Sequence, residues 1–448
     1  MKDVFDYVDR HAPEFVRELQ ALLRQPSVSA QGTGVEDTAR MVERMFSSVG
    51  ARVQVFRIEG AAPLVTAEIP GAQEQTVLFY NHYDVQPPEP LGMWRHDPFG
   101  AEIDGGKLYA RGAADNKGDL AARVRAAEAF LKVRGGLPVT VKFIVEGEEE
   151  IGSPNLDRYA REHPEAFRAD ACIWETGGRD EDGRLEVTLG CKGLCYAHIE
   201  VEGGSHDLHS SLAAVAPNPA WRLLWALNSL KNEREEILIP GFYDDVRRPS
   251  PADAALIEKL PTSSERLAKT FGIDRFVLDL SGKEVLRRLY FEPTCNVCGL
   301  SAGYEGPGSK TVLPSKAEAK LDMRLVPDQR PDDIAKKFEE YLRAKGYCDF
   351  RVTWLGAERP ARTDPDSRIV KVIKEAGAEL FGKEPLLYPT SPGTGPMYQV
   401  AAQFGTPAVG VGISNPESRV HGPDENIRVS DFLDGIKFMA LVLERFAG

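Results

Sequence analysis

Five separated stretches of this chain carry residue types that hold divalent metals or move protons, and four of them adjoin an apolar run that reads as a strand. Val77 to Tyr80 leads into Asn81-His82-Tyr83-Asp84, and Val139 to Val145 leads into Glu146-Gly147-Glu148-Glu149-Glu150-Ile151-Gly152-Ser153. Ala171 to Trp174 ends at Glu175, and Ala408 to Val411 precedes Gly412-Ile413-Ser414 and, after a loop, His421-Gly422-Pro423-Asp424-Glu425. The fifth stretch, Tyr109 to Gly118, puts Asp115 at the entry to an Ala-rich helix. Open α/β sheets bind ligands beyond the carboxyl ends of their strands, so repetition of this pattern is informative. In an H-x-D segment both side chains can lie on one side of extended backbone, which lets Asp84 accept a hydrogen bond from the His82 nitrogen that does not bind metal.

Each stretch also has a plainer reading. His82 can be a histidine satisfied in a loop, Asp115 a helix N-cap, and the acidic run a solvated surface. The run Glu146 to Glu150, however, adjoins a buried strand and ends in Ile151 and a Gly turn, so its mutual repulsion needs compensation that a divalent ion supplies. Two histidines and several carboxylates suit zinc first, then manganese or cobalt. One carboxylate shared between two ions, each with a further His and acid, is the arrangement of a two-metal hydrolase.

The elements that must position these residues follow from hydrophobic period. Residues 3 to 25 carry apolar positions at helical spacing, interrupted near Ala12-Pro13, and strand-like runs follow at Val53 to Ile58 and Leu64 to Ile69. A helix from Lys117 to Val133 lies between later strands, and this interleaving predicts a mixed or parallel sheet flanked by helices. Near Gly190 the texture changes. The alternating strand Tyr196 to Val201, the helix Pro217 to Leu230, the strand Leu321 to Val326, the helix Pro331 to Ala344 and the strand Asp349 to Leu355 read as a two-layer α/β unit. After Pro360 a helix from Ser367, a strand at Ala408 and a final helix from Ser430 resume the first texture. The expected organisation is therefore one domain over 1–190 and 363–448, with a second over 191–362 inserted into it.

The 448 residues exceed what one hydrophobic core usually serves. With 55 Lys plus Arg against 68 Asp plus Glu, the net charge of -13 repels phosphate backbones and anionic lipid, which argues against nucleic-acid and membrane partners. The opening MKDVFDYVDR lacks an apolar segment and no run of about 20 apolar residues occurs, so the expected address is cytoplasmic. The six cysteines are too few for a disulfide framework. Cys191 with Cys195 and Cys295 with Cys298 could offer thiols to a structural zinc, but Asn296-Val297 reads as strand, and buried inert thiols are the expectation.

Taken in order, the H-x-D of His82 and Asp84, the R-G-x-x-D-x-K-G around Asp115, the E-E-x-G-S of Glu149 to Ser153, Glu175, and the H-G-P-x-E-N of His421 to Asn426 resemble the M20 family of metallopeptidases. The likeness covers essentially the whole chain. Asp207-Leu208-His209-Ser210 and Lys310 to Pro314 look closest to the dipeptidase branch that includes carnosinase and cytosolic non-specific dipeptidase. The resemblance implies a zinc-exopeptidase-like mixed sheet flanked by helices, with the inserted domain acting as a lid and dimerisation domain. It implies two zinc ions per subunit, with manganese or cobalt as alternatives: Asp115 bridges, His82 and Glu175 complete one site, Glu150 and His421 the other. It implies Glu149 as general base, Asp84 as the residue that orients His82, and a cis peptide between Asp115 and Asn116. His209 reaches across a homodimer interface to the oxyanion, and Arg324 clamps a substrate carboxylate with Thr311 and Gly395 nearby. The implied reaction is hydrolysis of dipeptides or short peptides with a free C-terminus by a metal-bridging hydroxide.

Three consecutive glutamates leave a second register open, with Glu148 as base and Glu149 as ligand; Gly152-Ser153 favours the first. The loop Ser391 to Pro396 departs from the G-G-S form associated with the dipeptidases. His209 can instead belong to a polar surface loop, and Arg324 to a structural ion pair. An N-acyl amino acid deacylase or a carboxypeptidase would use the same site, and a non-catalytic scaffold would lack a ligand or the base.

Overall fold

The computed structural model describes residues 1–261 and 264–448, which fall into two compact units: Met1–Gly190 with Arg362–Thr390 and Pro396–Gly448, and Cys191–Ala361 with Ser391–Gly395.

The first unit is built on a mixed sheet whose strands run in the order Arg52–Phe56, Leu64–Ile69, Leu137–Glu146, Gly71–His82, Ala171–Trp174, Ala408–Gly410, Leu185–Thr188, Leu386–Tyr388. Four neighbours in the middle, from Leu137–Glu146 to Ala408–Gly410, are mutually parallel. Their carboxyl ends therefore lie along one edge, with His82 opposite Glu146 in register. Val77, Leu78, Phe79 and Tyr80 are fully buried, which is why this strand reads as an unbroken apolar run. The helices Lys2–Arg24, Lys117–Arg134, Arg368–Phe381 and Val429–Ala447 pack on one another and on the sheet, and Val35–Ser48 covers the strands at its start.

The first helix differs from expectation. It runs from Lys2 to Arg24 without a break at Pro13. Proline inside a helix costs about 3 kcal/mol, but Val4 and Val8 before it and Phe15, Val16, Leu19, Leu22 and Leu23 after it are all buried along one stripe. At about 1.5–3 kcal/mol per large apolar side chain, that burial outweighs the lost hydrogen bond.

The second unit is a four-stranded antiparallel sheet in the order Asn296–Ala302, Lys316–Leu325, Gly193–Glu202, Arg351–Glu358. Alternate residues of the two central strands, including Ile199, Val201, Leu321 and Met323, form a core with the helices Pro219–Leu230 and Pro331–Ala344. Opposite them, Glu318, Asp322 and Arg324 keep partial exposure. Cys195 and Cys295 belong to that core, Cys172 and Cys191 are buried, and all six cysteines are free. Cys298 is exposed, contrary to the expectation of a buried thiol, because it lies on a strand at the sheet edge. No helix among the described residues is long and apolar enough to cross a membrane.

Candidate active site

The parallel strands deliver their ligand-type residues to one place. His82 ends its strand fully buried, with Nε2 3.0 Å from Asp115 Oδ1. The other oxygen of Asp115 lies 3.0 Å from His421 Nε2, and His421 is also 3.2 Å from Glu150 Oε2. Asp115 thus faces a different histidine with each oxygen. Glu149 and Glu175 group with His82 in the same way, as do Asp115 and Glu150, with the ligand atoms of each set within 4.8 Å of one another.

Asp115 is not the N-cap of the following helix. That position is held by Asn116, whose side chain makes no capping bond and instead accepts from the Asn81 amide and from His82 N (3.3 Å). The peptide bond between Asp115 and Asn116 is cis. The loop that carries Asp115 is folded around one carboxylate: Glu425 Oε1 accepts the N–H groups of Gly112, Ala114 and Asp115 at 2.9–3.1 Å, and Oε2 pairs with Arg111 at 2.7 Å.

Asp84 has a wider part than the sequence suggests. His82 Nδ1 lies 3.1 Å from the Asp84 carbonyl and 3.4 Å from its carboxylate, which also accepts the backbone N–H groups of Glu149 (3.2 Å) and Glu150 (3.0 Å). One buried carboxylate therefore orients both the imidazole and the turn that presents the two glutamates. Glu148 is committed elsewhere, accepting from Ala62 N (3.1 Å) and the Asn155 amide (2.9 Å). Glu149 and Glu150 are left as the members of the run that reach the cluster.

Sequence reasoning missed two neighbours. Gln86 donates to Glu150 Oε2 at 2.8 Å. Arg123, fully buried on the helix Lys117–Arg134, donates to the carbonyls of Tyr80 (2.6 Å), Trp174 (3.3 Å) and Val411 (3.1 Å), to that of Glu175, and to Asn81 Oδ1 (3.0 Å). A charged residue in a helix buried on nearly all sides was the available signal.

The electrostatics are those of a crowded, poorly solvated acid cluster. Burial pushes Glu149 up to about 8 against the pull of His82, with Asp115 and Glu150 adding to the rise. Burial likewise lifts Glu146 to about 8, and holds Glu175 well above the ordinary carboxylate range with Glu149 reinforcing it. Asp115 is held low despite burial, because His421 and His82 both bond to it. Hydrogen bonds that His421 donates to Asp115 and Glu150 raise it to about 10. The residues fit a pair of divalent cations: Glu175 Oε2 is buried with no hydrogen-bond partner, and the remaining donors are imidazole and carboxylate. Protons held by such a cluster occupy the places that cations take when ligands deprotonate on binding. A third grouping, His198 with Glu200 and Glu318, differs, because Lys316 and Arg351 already balance its acids.

The other residues singled out in the sequence lie on the second unit. Leu208–His209 pairs with Val312–Leu313, which sets His209 beside Thr311; His209 is exposed and its Nδ1 accepts from Ser211 N at 3.2 Å. Arg324 donates to Asp322 Oδ2 at 3.0 Å and to Thr394 Oγ1 at 2.7 Å. Gly395 accepts from the Cys191 thiol at 3.4 Å.

Residues 78–445 match the family described as Peptidase family M20/M25/M40. The chain belongs to this family. It is 30% identical to rat Beta-Ala-His dipeptidase over 369 residues, 77% of this chain and 74% of the relative. An M20 family metallo-carboxypeptidase from Sulfolobus solfataricus superimposes with a TM-score of 0.92 at 38% identity, covering 97% of this chain and 99% of that one. Human carnosine dipeptidase 1 gives 0.81 at 26% identity, covering 100% and 98%. This M20 metallopeptidase accordingly shares its mixed α/β fold with peptidases of known structure, and its curated relatives include dipeptidases.

Proposed function

We propose that this M20 peptidase hydrolyses the peptide bond of dipeptides or short peptides with a free C-terminus, using two divalent cations, zinc first. The observation that carries the reading is Asp115, with one oxygen on His82 and the other on His421. In this proposal Asp115 is shared between the cations, His82 and Glu175 complete one site, and Glu150 and His421 complete the other. When bound, the ion pair supplies Lewis acidity and lowers the pKa of water toward about 7. The protein's own groups do the rest. Glu149 takes a proton from the attacking water and gives it to the leaving amine nitrogen, a role suited to a half-buried carboxylate that reaches the cluster. Asp84 orients His82, and His209 from a second copy of the chain donates a hydrogen bond to the developing oxyanion. Arg324 grips the substrate carboxylate with its planar fork, with Thr311 and Gly395 beside it.

The proposal includes a homodimer formed through residues 191–362 as a lid and dimerisation domain. The exposed Trp221, Leu224 and Trp225 on the helix Pro219–Leu230 support an apolar partner surface there. It also includes a cytoplasmic address. A carboxypeptidase acting on longer chains is the second reading, favoured by the likeness to the Sulfolobus solfataricus enzyme. Zinc-loaded protein incubated with unmodified dipeptides, their C-terminal amides, longer peptides and N-acetyl amino acids separates these readings. Cleavage of free dipeptides well above their amides is expected, and exclusive cleavage of N-acetyl amino acids overturns the proposal.

A further inference from the structure

The second unit contains a cavity of about 270 Å³ that the reaction does not use. Ile237, Phe271, Phe276, Leu280, Val285 and Leu289 give it apolar walls. Arg324 is not part of its lining. Ile237 and Cys295, which are, belong to the core on one face of the sheet, whereas Arg324 alternates with the core residues Met323 and Leu325 and so leaves the other face. The wall that meets solvent is a segment in which the helix Ser264–Phe271 and the turn Val277–Asp279 bury no residue, and Leu278 and Asp279 hold positive φ. So few buried contacts place that wall at the low-stability end from which binding sites are drawn.

The polar end of the cavity is cationic and short of counter-charge. Lys192 is 3% exposed, yet its amine donates to a carbonyl, that of Glu292 at 2.6 Å, and no carboxylate lies within ion-pair distance of it among the described residues. Arg288 likewise donates to a carbonyl, that of Glu235 at 3.4 Å, and has no carboxylate partner among the described residues. The third cation, Lys231, is paired with the Glu235 carboxylate at 2.7 Å. Glu292, the other acid of the lining, is exposed. Burial lowers the Lys192 amine to about 8 against the pull of Glu292, and repulsion from Arg324 and Arg288 adds to the fall. Buried charges are ordinarily paired, so this end of the cavity is complementary to an anion.

We propose that this cavity binds an apolar monocarboxylate, a straight-chain fatty acid of medium length, with its carboxylate on Lys192 and Arg288 and its tail along Ile237, Phe276 and Leu289. A cavity of about 150 Å³ lined by aliphatic and aromatic side chains accommodates benzene. The present volume is larger, yet below the roughly 300–1,000 Å³ of drug-sized sites, which matches a chain of about eight carbons. A free amino acid or a peptide is a poorer fit, because its ammonium would enter beside two cations. The assignment uses residues of the second unit alone and does not rest on the proposed reaction.

The test titrates butyrate, hexanoate, octanoate, octanol and octylamine into the zinc-loaded full chain by calorimetry. Octanoate is then titrated into three variants: Lys192→Met, which removes the charge, Val277→Asp, which places a carboxylate at an exposed wall position, and Arg324→Met, which lies outside the lining. Affinity is expected to rise about fourfold per methylene from butyrate to octanoate. Octanol and octylamine are expected to bind about 10- to 100-fold more weakly than octanoate. Lys192→Met and Val277→Asp are expected to weaken octanoate by a similar factor, and Arg324→Met to leave it unchanged. Affinity independent of chain length, wild-type affinity for octanoate in a folded Val277→Asp protein, or loss of octanoate binding in Arg324→Met overturns the site.

Discussion

Replacing Arg123 by Met removes a side chain that ties the carboxyl ends of three central strands together. Its guanidinium is fully buried and serves acceptors at Tyr80, Asn81, Trp174, Glu175 and Val411. Two of these flank the cluster directly, since Asn81 precedes His82 and Trp174 precedes Glu175. Met fills similar volume but leaves five buried acceptors unmatched. Removing one partner from a buried charged network costs about 3–5 kcal/mol, part of which returns because the cation no longer has to be desolvated. Burial already pushes Asp119 up to about 8 against the pull of Arg123, so without Arg123 that carboxyl stays protonated at neutral pH and limits the damage. A net loss of about 2–4 kcal/mol is expected in urea unfolding of the metal-free protein. Supporting groups behind metal ligands typically contribute 10- to 100-fold in affinity, or about 1.4–2.7 kcal/mol. Under the proposed ligand assignment, the loss should fall on the cation at His82 and Glu175 and spare the one at Glu150 and His421. Calorimetric titration with zinc in a chelating buffer resolves the two phases. Arg123→Lys, which keeps one donor, should lie between. Wild-type affinity in both phases of a folded Arg123→Met protein refutes the reasoning.

Glu149→Gln should retain both cations by elemental analysis and lose turnover by about 10²- to 10⁴-fold; wild-type turnover would show that the base lies elsewhere. Removing metal with a chelator should lower the melting temperature, and zinc at about 1,000 times its Kd should restore about 4 kcal/mol; an unchanged melting curve argues against cations at this cluster. Lys192 yields a pH dependence. Its amine is lowered from 10.5 to about 8 in the folded protein, so between those values the unfolded chain binds the additional proton and folding stability rises with pH. Measured against Lys192→Met, the wild type should gain up to about 3 kcal/mol from pH 8 to pH 10.5 and stay level below pH 8. A constant difference across the range contradicts this.

Much of the site can be read from the chain because fully buried parallel strands appear as short apolar runs, and ligand residues follow them at once. Val77 to Tyr80, Val139 to Val145 and Ala171 to Trp174 are of this kind. The first half of the strand Gly71–His82 was not legible, since Gln73, Glu74 and Gln75 are polar and carry no burial signal. The order of the sheet was hidden as well, because it depends on pairings between distant segments such as Ala408–Gly410 and Ala171–Trp174. Arg123 and Gln86 escaped notice for a related reason: their partners are backbone carbonyls and a carboxylate brought close only by folding. The register of the three glutamates needed Ala62 and Asn155, which occupy Glu148 and leave its neighbours to the cluster.

The small segment Ser391–Gly395 has a consequence for how such enzymes can be recombined. It belongs with the second unit although the chain on either side of it belongs to the first, so the polypeptide passes between the units four times rather than twice. Thr394, which receives the Arg324 guanidinium, lies on that segment. A chimera that transplants residues 191–361 alone would carry the arginine and leave its acceptor behind. With Arg324 as the proposed substrate clamp, exchange of substrate preference between relatives would call for two non-contiguous pieces of gene moved together, which a single-crossover library will not sample.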